Sequence, residues 1–179
     1  MINITKYLNS IYEKCIDNIF LSEKSEHYLN LNQNQNSEFL RILNKNDCKT
    51  TIKLCMPNFE EMIFSAKREA ALELLDQNKQ GVCIDYGAMW GALSIGMAKR
   101  GHQVIAVDQK YDLLRFLKSR YLEEGLENIH LVQDDLKEVQ FKNIADYALL
   151  NGVLEFMLKK SKNSREIQVS FLKRIYFKW

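Results

Sequence analysis

GVCIDYGAMWGALSIGMAKRGHQVIAVD, residues 81–108, places a run of glycines between two short apolar segments. Five of the seven glycines of the 179-residue chain lie there, and residues 1–80 contain none. They are Gly81, Gly87, Gly91, Gly96 and Gly101. Glycine reaches positive φ and lets a ligand approach the backbone closely, at an entropic cost. The cluster therefore indicates a ligand site after a strand more than it indicates a folding requirement.

The composition is that of an ordinary globular protein, because 46% of the residues are hydrophobic and 27% are charged. A length of 179 residues predicts one domain with a real core. The net charge is +2 and no long block of like charge occurs, so no nucleic-acid partner is evident. We see neither a signal peptide nor an apolar run of roughly 18 residues, and we expect a soluble, cytoplasmic chain without a membrane span.

The cysteines and histidines do not have the spacing of a metal site. No two of the four cysteines form C-x-x-C, and none has a histidine at the distance that metal ligands need. We therefore expect no metal, reduced thiols rather than disulfides, and structural roles for His102 and His130.

Three segments before residue 80 differ in regularity. Apolar residues recur every three or four positions over 2–22, which predicts an amphipathic helix that packs on its own domain or binds a partner helix or a membrane. Residues 23–58 lack a clear period, and their Asn/Gln-rich stretch at 29–39 indicates either a loop that orders over a ligand or a compositional bias. Good helix formers predict a strong helix over 59–77.

From residue 82 onward, short apolar runs alternate with helical segments. The runs predict strands at 82–85, 103–108, 128–135 and 145–152, and helices at 90–100, 110–125 and 164–179. This alternation predicts an α/β fold with a parallel sheet that helices cover on both faces. Ligands of such sheets bind beyond the carboxyl ends of the strands, which here carry Asp85, Asp108, Asp134, Asp135 and Asn151.

Two nucleotide-binding motifs fit the glycine loop poorly. A dinucleotide fingerprint, G-x-G-x-x-G, that starts at Gly87 would need glycines where Met89 and Ala92 stand. The P-loop motif G-x-x-x-x-G-K-[ST] is absent. A nicotinamide-dependent oxidoreductase is therefore disfavoured.

Read from Asp85 as D-x-G-x-G-x-G, the same stretch matches three of four positions, with Met89 at the middle glycine. It resembles the first motif of class I S-adenosylmethionine-dependent methyltransferases, and the resemblance continues through QVIAVD, LVQDDL and ADYALLNGVLEFM over about residues 60–176. It implies a Rossmann-like three-layer sandwich with strand order 3-2-1-4 in a domain of residues 59–179. A helical or irregular extension, residues 1–58, precedes that domain. The implied cofactor, S-adenosylmethionine, carries no phosphate, so the loop needs no Lys or Arg.

The resemblance assigns the glycine loop to the cofactor. Asp85 would lie near the methionine amino group or order the loop through backbone bonds. Gly87, Ala88 and Gly91 would let the backbone approach the ligand, and Tyr86 makes the loop bulkier than usual. If the position of Met89 needs positive φ, that residue is strained.

The other implied cofactor contacts follow the next strands. Asp108 would accept hydrogen bonds from both ribose hydroxyls, with Gln109 beside it, because a carboxylate only accepts and can engage two donors. Asp134 or Asp135 would accept from the adenine amine, and Asn151 would lie beside the transferring methyl. Each aspartate has the alternative role of capping the next helix. No residue is identified as a catalytic base.

The resemblance stops after the helix that follows the fourth strand, where the family domain continues with three more strands. We therefore expect a truncated form whose fourth strand leaves a bare edge for self-association or a partner chain. The predicted function is S-adenosylmethionine-dependent methyl transfer to a small-molecule, lipid or saccharide acceptor. The alternative is an inactive remnant that binds S-adenosylmethionine or a partner chain.

Overall fold

A six-stranded mixed sheet organises the described part of the chain in a computed structural model of the protein. The structure describes residues 3–23, 37–74, 79–136, 138–139, 141–154 and 164–176. The strands are β1 (Lys14–Ile16), β2 (Ile19–Leu21), β3 (Val82–Tyr86), β4 (Gln103–Asp108), β5 (Ile129–Gln133) and β6 (Tyr147–Leu149). Their order across the sheet is β1-β2-β5-β4-β3-β6.

The pairing confirms an α/β fold and corrects the number of strands. Every neighbouring pair from β2 to β6 is parallel, and β1 pairs antiparallel with β2. Strands β3 to β6 follow the predicted order 3-2-1-4, but the predicted count of about four is wrong because an N-terminal hairpin adds two strands. Truncation at the C-terminal side and the division between residues 58 and 59 stay predictions.

The predicted helix over 2–22 is wrong after its first turns. Helix α1 (Ile4–Asn9) begins with Asn3, whose side chain accepts from the Lys6 N–H, and the chain then turns into β1 and β2. Asp17 and Asn18 have φ of +54° and +62°, so a two-residue turn of left-handed backbone joins the strands. The apolar period wrongly predicted a helix because the consecutive residues of β2 are all apolar and all buried. They lie alternately on the two faces of the sheet.

The hairpin turn gives a direct test of this correction. We expect Asn18→Gly to preserve or raise the free energy of unfolding, since glycine adopts left-handed backbone without steric cost. Asn18→Ala is expected to lower it by about 1 kcal/mol, because a Cβ opposes that backbone. Urea unfolding followed by circular dichroism measures both values, and equal stability of the two variants would contradict the turn.

Residues 37–55 are more regular than predicted. They form α2 (Ser37–Leu43) and α3 (Cys48–Cys55), and Asp47 caps α3 by accepting from the Thr50 N–H at 2.8 Å. Most of the Asn/Gln-rich stretch lies outside the described residues. Asp47 is the local sequence signal for the start of α3. The helix was not predicted because residues 23–58 lack a clear apolar period.

The single helix predicted over 59–77 is also wrong. A 3₁₀ turn (Pro57–Phe59) leads into α4 (Glu60–Phe64), and a second 3₁₀ segment (Ala66–Leu74) follows. Between them Ser65 is extended, and its hydroxyl accepts from the Lys67 N–H at 3.2 Å. The Ser65 N–H still makes its helical bond to the Glu61 carbonyl at 2.9 Å, but the Lys67 N–H takes the Ser65 hydroxyl in place of a helical carbonyl partner, which fits a break after Ser65. Residues 75–77 lie outside the described residues.

Helices on the two faces of the sheet enclose separate clusters of buried side chains. Helices α5 (Ala92–Lys99), α6 (Tyr111–Glu123) and α7 (Ser164–Tyr176) occupy the predicted positions. Residues of α5 and α6 pack on one face with Cys83 and Val104, and residues of α1 and α7 pack on the other with Ile84 and Ile105. A third cluster joins α3 and α4 to Phe116 of α6. None of the described helices is long and apolar enough to cross a membrane.

Candidate functional site

The bend after β3 is built from left-handed backbone that β4 holds in place. Gly87, Met89 and Gly91 have φ of +75°, +47° and +79°. The N–H groups of Gly87 and Ala88 both donate to the Val107 carbonyl, at 2.8 and 2.9 Å. The Gly91 N–H donates to the Ala88 carbonyl at 2.8 Å, which closes the turn before α5. Met89 therefore takes the strained conformation that a glycine would adopt without strain.

Asp108, the last residue of β4, faces this bend. Its two carboxylate oxygens accept from the N–H groups of Met89 and Lys110, each at 2.9 Å. Only 8% of the residue is exposed, and burial raises the pKa of its carboxyl against the lowering effect of those two amides. The two oxygens of a carboxylate offer about four acceptor positions, so two backbone bonds leave capacity for further donors.

Asp85 lies on β3 beneath the bend and is 3% exposed. Its Oδ2 accepts from the Ser94 hydroxyl of α5 at 2.6 Å. Burial raises the pKa of Asp85 to about 6; the Ser94 hydrogen bond opposes this shift, and the charge of Asp108 adds to it. Asp85 therefore links β3, which precedes the loop, to α5, which follows it.

The raised pKa of Asp85 predicts a pH dependence of stability. The pKa of about 6 in the folded state lies above its ordinary value of 3.8, so the folded protein binds more protons than the unfolded chain between these values. Its contribution to stability is therefore lost as the pH rises through 6. Between pH 5 and 7 the free energy of unfolding of the unsubstituted protein should therefore fall because of Asp85. In Asp85→Asn, which cannot titrate there, the fall over the same range should be smaller by about 1 kcal/mol.

A matched control separates this effect from loss of any aspartate. Hydrogen bonds to the Thr50 amide and hydroxyl lower the pKa of exposed Asp47, so it is ionised across that range. Asp47→Asn should leave the pH slope of the free energy of unfolding unchanged. Urea unfolding measures the free energy of unfolding at each pH. If its pH dependence is the same in Asp85→Asn as in the unsubstituted protein, the raised pKa of Asp85 is refuted.

A second group of polar side chains follows β4 and β5. The Tyr12 hydroxyl donates to Asp134 Oδ2 at 2.9 Å, and the Asp135 N–H donates to Asp134 Oδ1 at 2.8 Å. Gln109 Nε2 donates to Asp135 Oδ1 at 3.0 Å. Asp134 is buried, which raises its pKa, whereas Asp135 is half-buried. The N-terminal segment thus fixes Asp134 from a direction that the sequence did not suggest.

A cavity opens at the bend, and four of the ten predicted cofactor residues line it. These four are Asp85, Gly87, Ala88 and Asn151, and Met89 and Trp90 of the same loop line it as well. The remaining lining residues are Met62, Ile63, Ala92 and Leu93. Asp108, Gln109, Asp134 and Asp135 do not line it, and the bond from Met89 to Asp108 connects the two groups.

Tyr86 and Gly91, two more predicted residues, pack towards the core. The Tyr86 ring lies edge-on to Phe171 with 5.6 Å between the centroids, and the residue is buried. A Cβ on Gly91 would lie 2.0 Å from Leu117 Cδ1 of α6. The absence of a side chain at Gly91 therefore serves the packing of α6 against the loop.

The residues that sequence reasoning missed come from outside the glycine motif. Met62 and Ile63 line the cavity from α4, and Tyr12 reaches Asp134 from the N-terminal segment. No local pattern identifies Met62 or Tyr12 as site residues. Arg120 donates to the carbonyl of Trp90 in the bend. Its position could have been noticed in the sequence, because it follows Leu113 and Leu117 on the apolar face of α6, where a charged residue is unusual.

Residues 83–169 match the family model of a methyltransferase domain. These residues belong to the methyltransferase-domain family. The domain has the Rossmann-like fold of class I methyltransferases, and the family uses S-adenosylmethionine. Among the described residues, no group of three or more His, Cys, Asp or Glu side chains is arranged to hold a metal ion.

Similar proteins agree on the fold of this methyltransferase domain. A chain of Methanosphaera stadtmanae named as ribosomal RNA small subunit methyltransferase A is 31% identical over 80 residues, which are 45% of this chain and 30% of that one. An S-adenosylmethionine-dependent methyltransferase structure from Methanococcus maripaludis superposes with a TM-score of 0.52 at 23% identity, over 71% of this chain and 58% of that one. Phosphoethanolamine N-methyltransferase 1 of Haemonchus contortus superposes with a TM-score of 0.55 at 17% identity, over 83% of this chain and 29% of that one. The matched regions thus cover less than two thirds of each of these proteins.

Proposed function

We propose that this chain binds S-adenosylmethionine at the bend between β3 and α5 and transfers its methyl group to an acceptor. The observation that carries the proposal is the carboxylate of Asp108, which faces the bend and accepts from the Met89 N–H at 2.9 Å. A strand-end carboxylate held against a glycine loop is the arrangement that a ribose needs, because its two hydroxyls are donors.

The ribose contact makes use of the acceptor capacity that Asp108 keeps. Each of its oxygens already accepts one backbone N–H, from Met89 or from Lys110. These bonds fix the carboxylate before ligand arrives, so little side-chain entropy is lost on binding. The two ribose hydroxyls would then add one charge-assisted hydrogen bond to each oxygen.

For the adenine amine we favour Asp135 over Asp134. Asp134 is the more buried of the two, and its oxygens accept from Tyr12 and from the Asp135 N–H. Asp135 is half-buried at the carboxyl edge of β5, and Gln109 donates to its Oδ1. We propose that Asp134 positions its neighbour and that Asp135 accepts from the amine.

The methionine end and the reacting methyl would occupy the cavity. Gly87 and Ala88 line it, and the exposed Asn151 lies at its rim. Buried Asp85 lines it too and orders the loop through Ser94. None of the described lining residues is Lys or Arg, which suits a cationic ligand without phosphate better than it suits a dinucleotide.

When bound, the cofactor supplies a methyl group on a sulfonium sulfur. The described residues would contribute positioning and exclusion of water, because Met62, Ile63 and Leu93 give one part of the cavity wall apolar side chains. Displacement of the methyl group from sulfur by the acceptor's nucleophilic atom is the chemistry that the bound cofactor would supply, with the bonding pair left on sulfur, and the acceptor proton would pass to solvent. No side chain is proposed as a general base.

For the acceptor we propose a small molecule, a lipid or a saccharide. The M. stadtmanae relative is named for ribosomal RNA, which makes RNA the second candidate acceptor. Transfer of a radiolabelled methyl group to separate pools of small molecules, lipids, saccharides and RNA distinguishes them. Cofactor binding without transfer to any pool would favour the alternative of an inactive binding protein.

Calorimetric titration with S-adenosylhomocysteine and, separately, with NAD tests the cofactor assignment. We expect saturable binding of S-adenosylhomocysteine near one equivalent and none of NAD, since the fingerprint positions 89 and 92 are Met and Ala. Binding of NAD alone, or of neither ligand, would refute it.

Self-association through β6 is a further part of the proposal. β6 lies at one end of the strand order, with its three residues half-buried. An exposed strand edge is a template for pairing with another chain. Light scattering at two protein concentrations tests this, and a monomer at both would contradict it.

A cytoplasmic location stays a prediction.

A further inference from the structure

We infer that Arg120 of α6 is a positioning residue for the cofactor loop. The identity of the ligand rests on the proposed function, whereas the way in which Arg120 holds the loop rests on the contacts of its side chain. Its side chain is 9% exposed, and Nη1 donates to two backbone carbonyls, of Ile63 at 3.1 Å and of Trp90 at 3.2 Å. Both carbonyl-bearing residues line the cavity, one from α4 and one from the bend.

The contact to Trp90 completes a two-sided hold on the strained part of the loop. Asp108 accepts the N–H of Met89, and Arg120 donates to the C=O of the next residue. Met89 has φ of +47°, a conformation that persists only when its surroundings enforce it. The two charged side chains therefore hold this dipeptide from its two ends.

The contact to Ile63 ties the opposite wall of the cavity to the same guanidinium. Ile63 and Met62 reach the cavity from α4, which is separated along the chain from the glycine loop. The Phe64 ring lies 5.0 Å from the guanidinium carbon, and Phe116 meets Trp90 edge-on at 5.2 Å between centroids. Arg120 thus sets the separation of the two walls.

The charge of Arg120 is balanced without any ligand. Glu124, one turn later, approaches Arg120 Nε to 3.4 Å, and the Phe64 face adds a cation–π contact. Arg120 consequently has no requirement for an anionic ligand, and its directed N–H groups go to the loop. A guanidinium suits this role because its donors are fixed in one plane.

The test compares Arg120→Met with Arg115→Met, which removes a guanidinium from the same helix. Arg115 contacts Asp17 and Asn44, so its loss affects the hairpin and α2 rather than the bend. In a Trp179→Phe background, Trp90 is the remaining tryptophan and reports on the cavity in stopped-flow fluorescence. Calorimetry with S-adenosylhomocysteine gives the affinity and the number of sites.

We expect Arg120→Met to raise the Kd and the dissociation rate roughly tenfold with an unchanged number of sites, because a charged hydrogen-bond donor to the loop is lost. Arg120→Lys, which keeps a charged donor, should restore part of the affinity, and Arg115→Met should bind normally. A reduced number of sites with unchanged Kd would overturn the inference, since it reports only loss of folded protein. Equal weakening by Arg115→Met would also overturn it.

Hydrogen exchange of the ligand-free protein keeps the inference testable if no ligand binds. Absence of S-adenosylhomocysteine binding to the unsubstituted protein refutes the proposed function, and exchange then decides the positioning role alone. Amides of residues 87–91 should exchange faster in Arg120→Met than in Arg115→Met, while those of β4 stay protected in both. Unchanged exchange in the loop would overturn the inference.

Discussion

Replacing Asp108 by Ala is expected to weaken S-adenosylhomocysteine binding at least about a hundredfold. Two charge-assisted hydrogen bonds to the ribose would be lost, which corresponds to about 3 kcal/mol of binding free energy. The Met89 and Lys110 amides lose their acceptor as well, so the loop also loses one of its holds. Calorimetric titration measures the effect.

Two further substitutions separate the charge of Asp108 from general damage. Asp108→Asn keeps one acceptor oxygen but turns an amide donor towards a backbone N–H, and it should bind with intermediate affinity. Asp112, buried in the first turn of α6, has a carboxylate oxygen with no hydrogen-bond partner in the described structure. Asp112→Asn should therefore leave binding nearly unchanged. Normal affinity of Asp108→Ala would sink the ribose assignment.

Substitution of Gly91 by Ala is expected to lower the free energy of unfolding by about 3 kcal/mol, combining backbone strain and overpacking. The residue has φ of +79°, and the new Cβ would lie 2.0 Å from Cδ1 and 2.9 Å from Cγ of Leu117. Leu117 is fully buried in the core, so its side chain has little room to move away.

Gly125 provides the control for the backbone part of this cost. Its φ is +68°, but a Cβ there would meet no atom within 4 Å. Gly125→Ala should therefore cost only the conformational term, about 1 kcal/mol. Urea unfolding of both variants measures the difference, which is the steric contribution at Leu117. Equal losses for the two variants would show that the contact with Leu117 is not made.

The parallel strands and the glycine bend were predictable because their signals are local. The apolar runs ending in Asp85 and Asp108 mark strand ends, and Gly87 and Gly91 do have positive φ. Met89 stands where the motif has its middle glycine, and it has the left-handed conformation that makes it strained. Short-range sequence patterns thus fixed the position of the bend relative to β4.

The hairpin and the second cavity wall were not predictable because they depend on distant partners. Ile19 lies opposite Leu131 in the sheet, and no window of sequence contains both. Ser65 breaks a segment of good helix formers through one local hydrogen bond, which propensity does not weigh. Ile63 reaches the cavity only because α4 docks on Phe116 and Arg120.

The pairing of β2 with β5 also bears on how the protein acquires its structure during synthesis. The hairpin leaves the ribosome about a hundred residues before its neighbouring strand, since Ile19 pairs with Leu131. Until then the apolar strand Ile19–Leu21 can pair only with β1, on one of its two edges. We expect this early segment to be among the last to settle, and to make the nascent chain dependent on chaperones that shield it.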